Sequence, residues 1–180
     1  FIIYKNKFRE NAIILEVFTS KYGKVSGIVY GGNSRKIKNY LQLANKIFVI
    51  YNAKSSNKLG YFKTELINPI SPKYFNDKTK ILCLNSLSLI LKAVLPENQP
   101  YSKIYKSLDD LLNVFSKPDW LISYIYWEIN LINNLGFGFV LDQNDLKSNT
   151  DKKIYNIELD NINYKIPSFL ISKKFNSTSN

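Results

Sequence analysis

The sequence predicts an α+β fold in which a five-stranded barrel precedes an antiparallel helical domain. Three observations predict it. Short β-prone stretches, bounded by turn residues, fill the chain to about residue 66. From residue 81 to 135 the apolar positions instead recur every three or four residues. Pro69 and Pro72 stand where the period changes.

Each strand has its own signature. A short one is expected near residues 1–5. Ala12-Ile13-Ile14-Leu15-Glu16-Val17-Phe18 is apolar and stops at Thr19-Ser20-Lys21-Tyr22-Gly23, a turn signal closed by glycine. Residues 24–30 alternate, with Val25, Gly27 and Val29 on one face and Lys24, Ser26, Ile28 and Tyr30 on the other. Segments 12–18 and 24–30 therefore form a hairpin. Gly31-Gly32-Asn33-Ser34-Arg35-Lys36-Ile37-Lys38 reads as a flexible, basic loop. Residues 47–51 and 59–66 supply two more strands around the polar tip 52–58. A closed or partly closed barrel is the economical way for so small a sheet to bury one face and remove its edges.

The helices follow. Ile81, Leu84, Leu87, Leu91 and Leu95 form one apolar stripe up to Pro96. A second helix follows Ser102 and uses Ile104, Tyr105, Leu108, Leu111, Leu112 and Phe115. The third takes Ser116 as its cap, with Pro118 and Asp119 in the first turn and Gly136 at the C′ position. Its stripe is Trp120, Tyr124, Trp127, Leu131 and Leu135, and the two tryptophans read as core. Short joints predict antiparallel packing. The expected domains are 1–70 and 77–140, then an irregular or hairpin extension over 141–174 and a disordered tail over 175–180. The hairpin would pair 153–159 with 162–166 about Asp160-Asn161.

Composition narrows the function. An apolar content of 45% with 22% charged residues marks a globular chain. No apolar run reaches membrane-spanning length, and Lys5 and Lys7 follow Phe1–Tyr4 too soon for a signal peptide. The single cysteine, Cys83, excludes an internal disulfide and a cysteine zinc site; it reads as a small buried hydrophobe in a reducing cytoplasm. The absence of histidine removes the side chain most used for acid–base work near neutral pH. Glu10 and the pair Asp109-Asp110 are the carboxylates that invite a catalytic role. Neighbours on a helix diverge by about 100°, so Asp109 and Asp110 cannot converge on one metal and read as a solvated face. Glu128, beside the apolar stripe, is expected to hold a structural contact such as a lysine pair. Neither an enzyme nor a bound cofactor is expected. The lack of methionine, even at position 1, leads us to expect a sequence that begins inside its gene product or was processed.

Charge is unevenly placed. Residues 1–76 carry 13 Lys/Arg against Glu10, Glu16 and Glu65, a net of +10. Residues 77–140 are neutral and 141–180 carry +1. Lysine outnumbers arginine 23 to 2, as in an AT-rich genome, yet such a bias would raise lysine everywhere. A basic segment beside a neutral one is what a polyanion-binding domain joined to a partner-binding domain would show.

Two stretches are recognisable. Phe18-Thr19-Ser20-Lys21-Tyr22-Gly23-Lys24-Val25-Ser26-Gly27-Ile28-Val29-Tyr30-Gly31-Gly32, then Ser34-Arg35-Lys36, with Arg9-Glu10-Asn11-Ala12 ahead of it, resembles the N-terminal barrel of the RecO family. Tyr126-Trp127-Glu128-Ile129-Asn130-Leu131-Ile132-Asn133-Asn134-Leu135-Gly136-Phe137 resembles the family's helix that ends in Leu-Gly-aromatic, and Ile166-Pro167-Ser168-Phe169-Leu170 a later segment. The resemblance implies an OB-fold barrel before a helical domain. It further implies binding of single-stranded DNA, annealing of complementary strands, and work with SSB and RecR to help load RecA in the bacterial cytoplasm and nucleoid. Many members carry a cysteine zinc cluster after the Leu-Gly-aromatic segment; this chain has no thiols there, so zinc is not expected. Members usually extend further at both ends, which implies a truncated chain.

In an OB barrel, Lys21, Lys24, Arg35, Lys36, Lys38, Lys54 and Lys58 would fall at the strand ends and loops that rim the binding face. They would neutralise phosphates and release counterions, which adds affinity without sequence preference. Five such contacts to a single strand imply a log–log salt slope of roughly −3 to −4. Tyr22, Tyr30, Tyr40 and Tyr61 are candidates both for base stacking and for structural packing. Gly31 and Gly32 either admit a phosphate to the backbone or make a plain turn. The resemblance also offers Lys80, Lys92, Lys103 and Lys106 as receivers of the acidic SSB C-terminal tail. A generic basic module for structured RNA, or an adaptor using its helices on a protein, is the alternative.

Overall fold

The computed structural model describes residues 1–54 and 59–136, and the backbone of 154–159 and 162–167. The chain divides into two compact units, Phe1–Asn134 and Leu135–Asn180. The described part of the second is a hairpin of two strands, Ile154–Leu159 and Ile162–Pro167, with Leu159 opposite Ile162. The rest of the expected extension, and the tail 175–180, lie outside the described residues.

In the first unit, five strands precede the main helices: β1 (Ile2–Arg9), β2 (Ala12–Thr19), β3 (Gly23–Tyr30), β4 (Lys46–Asn52) and β5 (Tyr61–Asn68). β2 and β3 form the expected hairpin, with Thr19 opposite Gly23 and Ala12 opposite Tyr30. β3 and β5 run parallel where Ile28 faces Tyr61, giving the order β1-β2-β3-β5-β4. Ile2, Leu15, Val17, Val29, Leu41, Ile47 and Phe62 make the core of this OB-like sheet. Phe1 and Phe18 instead pack on Tyr105 of the second long helix. β2 is thus covered on both faces, which is why its sequence reads as an apolar run rather than an alternation.

The five-stranded sheet agrees with the expected OB-like fold; of the closed and partly closed forms expected, closure is not seen among the described residues, where β1 and β4 are the edges. Ile2 N–H donates to the Asn45 carbonyl at 3.0 Å, and Ala44 N–H donates to the Ile2 carbonyl at 2.8 Å. Further along, Lys5 Nζ donates to the Leu41 carbonyl at 2.7 Å. The segment 41–45, rather than β4, therefore lies beside β1. Asn45 is fully buried and ties this corner together. Its Oδ1 accepts from the Ile70 and Ser71 amides at 2.8 and 3.0 Å, and its Nδ2 donates to the Tyr40 carbonyl at 2.9 Å. Periodicity does not show such a hub, because one buried asparagine leaves no repeat.

Two expectations about the first unit's local elements need correction. The basic loop contains a short helix, α1 (Arg35–Tyr40). No residue of α1 is fully buried, so the apolar pattern that announces longer helices is missing. Its half-buried Ile37 and Tyr40 pack on the sheet core. β1 also runs to Arg9 rather than ending near residue 5, because its second half is exposed on both faces and shows no alternation of apolar and polar residues.

A 3-10 turn (Ser71–Tyr74) leads into α2 (Lys78–Val94), α3 (Ser102–Val114) and α4 (Trp120–Asn134). Asp77 caps α2 through its side chain, accepting from the Lys80 amide at 3.1 Å. α4 starts at Trp120, so Ser116, Pro118 and Asp119 precede it; the Asp119 carbonyl accepts its first bond, from Ser123 N–H. Gly136 has φ +86°, the left-handed turn that ends such a helix. Leu84, Leu87, Leu91, Ile104, Leu108, Leu111, Tyr124, Trp127 and Leu131 are buried, as the stripes require. Cys83 is half-buried rather than buried, and burial pushes its thiol up, with Glu128 and Asp77 adding to the shift. Among the described residues Glu128 meets no lysine; it lies against Tyr124, whose phenol is pushed up mainly by burial. Asp109 is no solvated carboxylate: Lys46 Nζ donates to both its oxygens at 2.9 Å, joining β4 to α3.

Candidate nucleic-acid interface

The strand register sorts the predicted site residues to two ends of the sheet. At one end Arg9 faces Ala12, Ala12 faces Tyr30, and Tyr61 faces both Ile28 and Asn52. Tyr30 is half-exposed, and its ring lies 6.1 Å from that of Tyr61 at 56°. Lys54 Nζ donates to the Tyr30 hydroxyl at 3.3 Å and stands 5.8 Å from the ring centroid. An ammonium over one of two adjacent aromatic rings is an arrangement on which a base can stack while its phosphate is neutralised. The β1–β2 turn and the β4–β5 connection both open at this end, and OB folds bind oligonucleotides with those loops and the β2–β3 face. Arg35, Lys36 and Lys38 follow on α1, all exposed. The Gly31 amide is already spent on the Asn11 carbonyl at 2.7 Å, so of the two roles open to it the turn is the one seen.

Lys21, Tyr22 and Lys24 sit at the other end. At about 3.3 Å per residue, the length of β2 separates them from Tyr30 by about 23 Å. Lys21 Nζ and Tyr22 are exposed and lie against each other, 5.4 Å to the ring centroid. Lys24 Nζ donates to the Lys92 carbonyl at 2.9 Å, at the C-terminal end of α2, while its own carbonyl accepts from Asn98 N–H at 2.9 Å. Gly23, at φ +69°, lies so close to Gln99 that a Cβ would come within 1.8 Å of that carbonyl oxygen. This end is where the sheet meets the helices. Tyr40 is tied down too, its hydroxyl 2.9 Å from Thr64 Oγ1. Lys58 lies outside the described residues.

The four helical lysines also divide. Lys80 pairs with Asp77 at 3.8 Å and covers the rings of Tyr74 and Trp120 at 4.9 and 5.5 Å. Lys92 pairs with Glu16 at 3.8 Å and stands 3.0 Å from the Tyr4 centroid. Lys103 and Lys106 are exposed, three residues apart on α3 and so on one face. Among the described residues no helix is long and apolar enough to cross a membrane. Sequence reasoning passed over Lys5, whose bonds to Leu41 and Gln42 are long-range, and Lys7 and Arg9, because a strand ending near residue 5 hides their placement on β1.

The profile for Recombination protein O N terminal matches residues 1–70, and that for Recombination protein O C terminal matches residues 76–170. The chain belongs to the RecO family. Relatives named DNA repair protein RecO are similar over most of it. The protein of Ehrlichia chaffeensis is 33% identical over 144 residues, covering 79% of this chain and 58% of its own length. That of Roseobacter denitrificans is 29% identical over 147 residues, covering 81% and 61%. That of Cereibacter sphaeroides (strain ATCC 17029 / ATH 2.4.9) is 32% identical over 132 residues, covering 73% and 55%. The chain thus spans less than two thirds of the length of these RecO relatives. The strand-to-helix order that the resemblance implied agrees with the OB-like sheet and the helices behind it.

Proposed function

We propose that this RecO family chain serves DNA repair and homologous recombination as a non-enzymatic mediator in the bacterial cytoplasm. It binds single-stranded DNA, anneals complementary strands, and acts with SSB and RecR to help load RecA. The observation that carries this reading is the Tyr30–Tyr61–Lys54 cluster, flanked by the basic α1, at the end of the sheet where OB folds bind oligonucleotides. Bases stack on the rings and the cations take the phosphates, so binding is indifferent to sequence and sensitive to salt. Lys103 and Lys106, exposed and clear of the sheet's ion pairs, are the helical lysines best placed to meet the acidic SSB tail.

The test is annealing of complementary strands coated with SSB, followed by fluorescence. Acceleration by the chain is expected, with loss of the effect in a Tyr30→Ala/Tyr61→Ala double variant. Binding without annealing would leave a basic OB-like module. Tighter binding of a structured RNA hairpin in competition would shift the reading to that ligand class.

A further inference from the structure

A second basic surface lies outside the β2–β3 face. Between β1 and α1 there is an open groove of about 200 Å3, whose polar lining is Lys5, Asn6, Lys7, Asn33 and Lys38. Lys7 and Lys38 are exposed, and none of the three lysines has a carboxylate within ion-pair reach among the described residues. Lys5 is half-buried and held rigidly, donating to the Leu41 carbonyl at 2.7 Å and to Gln42 Oε1 at 2.9 Å. Both partners are neutral. Burial and the nearby Lys38 pull the Lys5 ammonium below the ordinary lysine range. Of the other half-buried lysines, Lys46, Lys80 and Lys92 each meet a carboxylate, while Lys24, like Lys5, donates to a backbone carbonyl. An uncompensated trio of ammoniums converging on one groove is a standing electrostatic cost that an anion relieves.

We propose that this groove is a phosphate subsite, in which Lys5, Lys7 and Lys38 hold the backbone of the DNA strand whose bases stack on Tyr30 and Tyr61. The proposal rests on the single-stranded DNA reading and extends it to residues outside the β2–β3 face. Gly32 and Asn33 connect the two places. They follow Tyr30 closely in the chain, and Asn33 Nδ2 is anchored on the Glu10 carbonyl at 2.7 Å.

The experiment uses the full chain and a fluorescently labelled oligo-dT, with anisotropy titrations across a salt series. The wild type, a Lys7→Gln/Lys38→Gln variant and a control Lys78→Gln/Lys117→Gln variant are compared. Both pairs are exposed, so each variant removes equal charge without touching the core. The groove variant is expected to bind several-fold more weakly, with a log–log salt slope shallower by about 1.4, since two phosphates of a single strand are no longer neutralised. The control is expected to match the wild type. Equal losses in both variants would reduce the effect to net charge and overturn the subsite. An unchanged groove variant beside a weakened Tyr30→Ala/Tyr61→Ala variant would overturn the subsite while leaving the DNA reading intact. No binding by the wild type would overturn both. Acetylation footprinting gives an independent readout: oligo-dT should protect Lys5, Lys7 and Lys38, and unprotected lysines there would also sink the proposal.

Discussion

The two ends of the five-stranded sheet are built from the same residue types and use them in opposite ways. At the β2–β3 turn, Lys24 is bonded to the end of α2, Gly23 is wedged against Gln99, and Phe18 fills the space under Tyr105. At the other end, Tyr30 is half-exposed, Lys54 leans on its ring, and the α1 cations face solvent. Composition cannot separate them, since each offers lysine, tyrosine and glycine within a few residues. What separates them is the helical layer, which consumes hydrogen-bonding and packing capacity at one end only. The lesson concerns basic proteins in general: a lysine count locates a polyanion-binding domain, and the tertiary contacts decide which lysines remain free to bind.

Substitutions at the two ends should therefore fail in different assays. The largest effect is expected for Phe18→Ala at the packed end, a loss of about 3–5 kcal/mol of stability for a fully buried aromatic, measured by urea unfolding. DNA affinity of the folded fraction should be unchanged; a selective loss of affinity would blur the comparison. Gly23→Ala comes next, at roughly 3 kcal/mol, because alanine is strained at a positive φ and its Cβ meets the Gln99 backbone. A neutral result in the same unfolding assay would show that the turn relaxes freely. At the open end, Tyr30→Ala should weaken oligo-dT binding by about 1–3 kcal/mol per stacked base, with the unfolding midpoint almost unmoved. Lys24→Met should cost about 1.5 kcal/mol of stability, the value of a hydrogen bond from a charged donor, and leave the salt slope alone. The smallest change in stability, within about 0.5 kcal/mol, is expected for Arg35→Gln/Lys36→Gln on α1. That pair should instead make the salt slope shallower by about 1.4. A salt effect from Lys24 with none from α1 would reverse the assignment of the two ends.

Much of the architecture was legible in the chain. The β2–β3 hairpin, the change of period after Pro72 and the apolar stripes of α2, α3 and α4 all rest on local patterns of burial. Such patterns repeat every two or 3.6 residues, so a window of a dozen residues carries them. The +10 charge of the first segment is a sum and needs no structure either. α1 was not legible, because it is short and buries no residue completely. The far half of β1 was missed for a related reason, being exposed on both faces.

The site needed tertiary structure because its determinants are long-range. Lys24 meets the Lys92 carbonyl 68 residues away, and Lys46 meets Asp109 across 63. No periodicity reports such a partner, so free and committed lysines look alike in the sequence. Tyr30 and Tyr61 become neighbours only through the single parallel pairing of β3 with β5. The open edge between β1 and β4 likewise depends on segment 41–45 lying alongside β1, with Asn45 buried at its centre. The chain alone supplied the order of elements and the polarity of charge, since both follow from which residues avoid water and which carry charge. Folding supplied the partners, since a hydrogen bond or ring contact depends on distances that only the packed layers set.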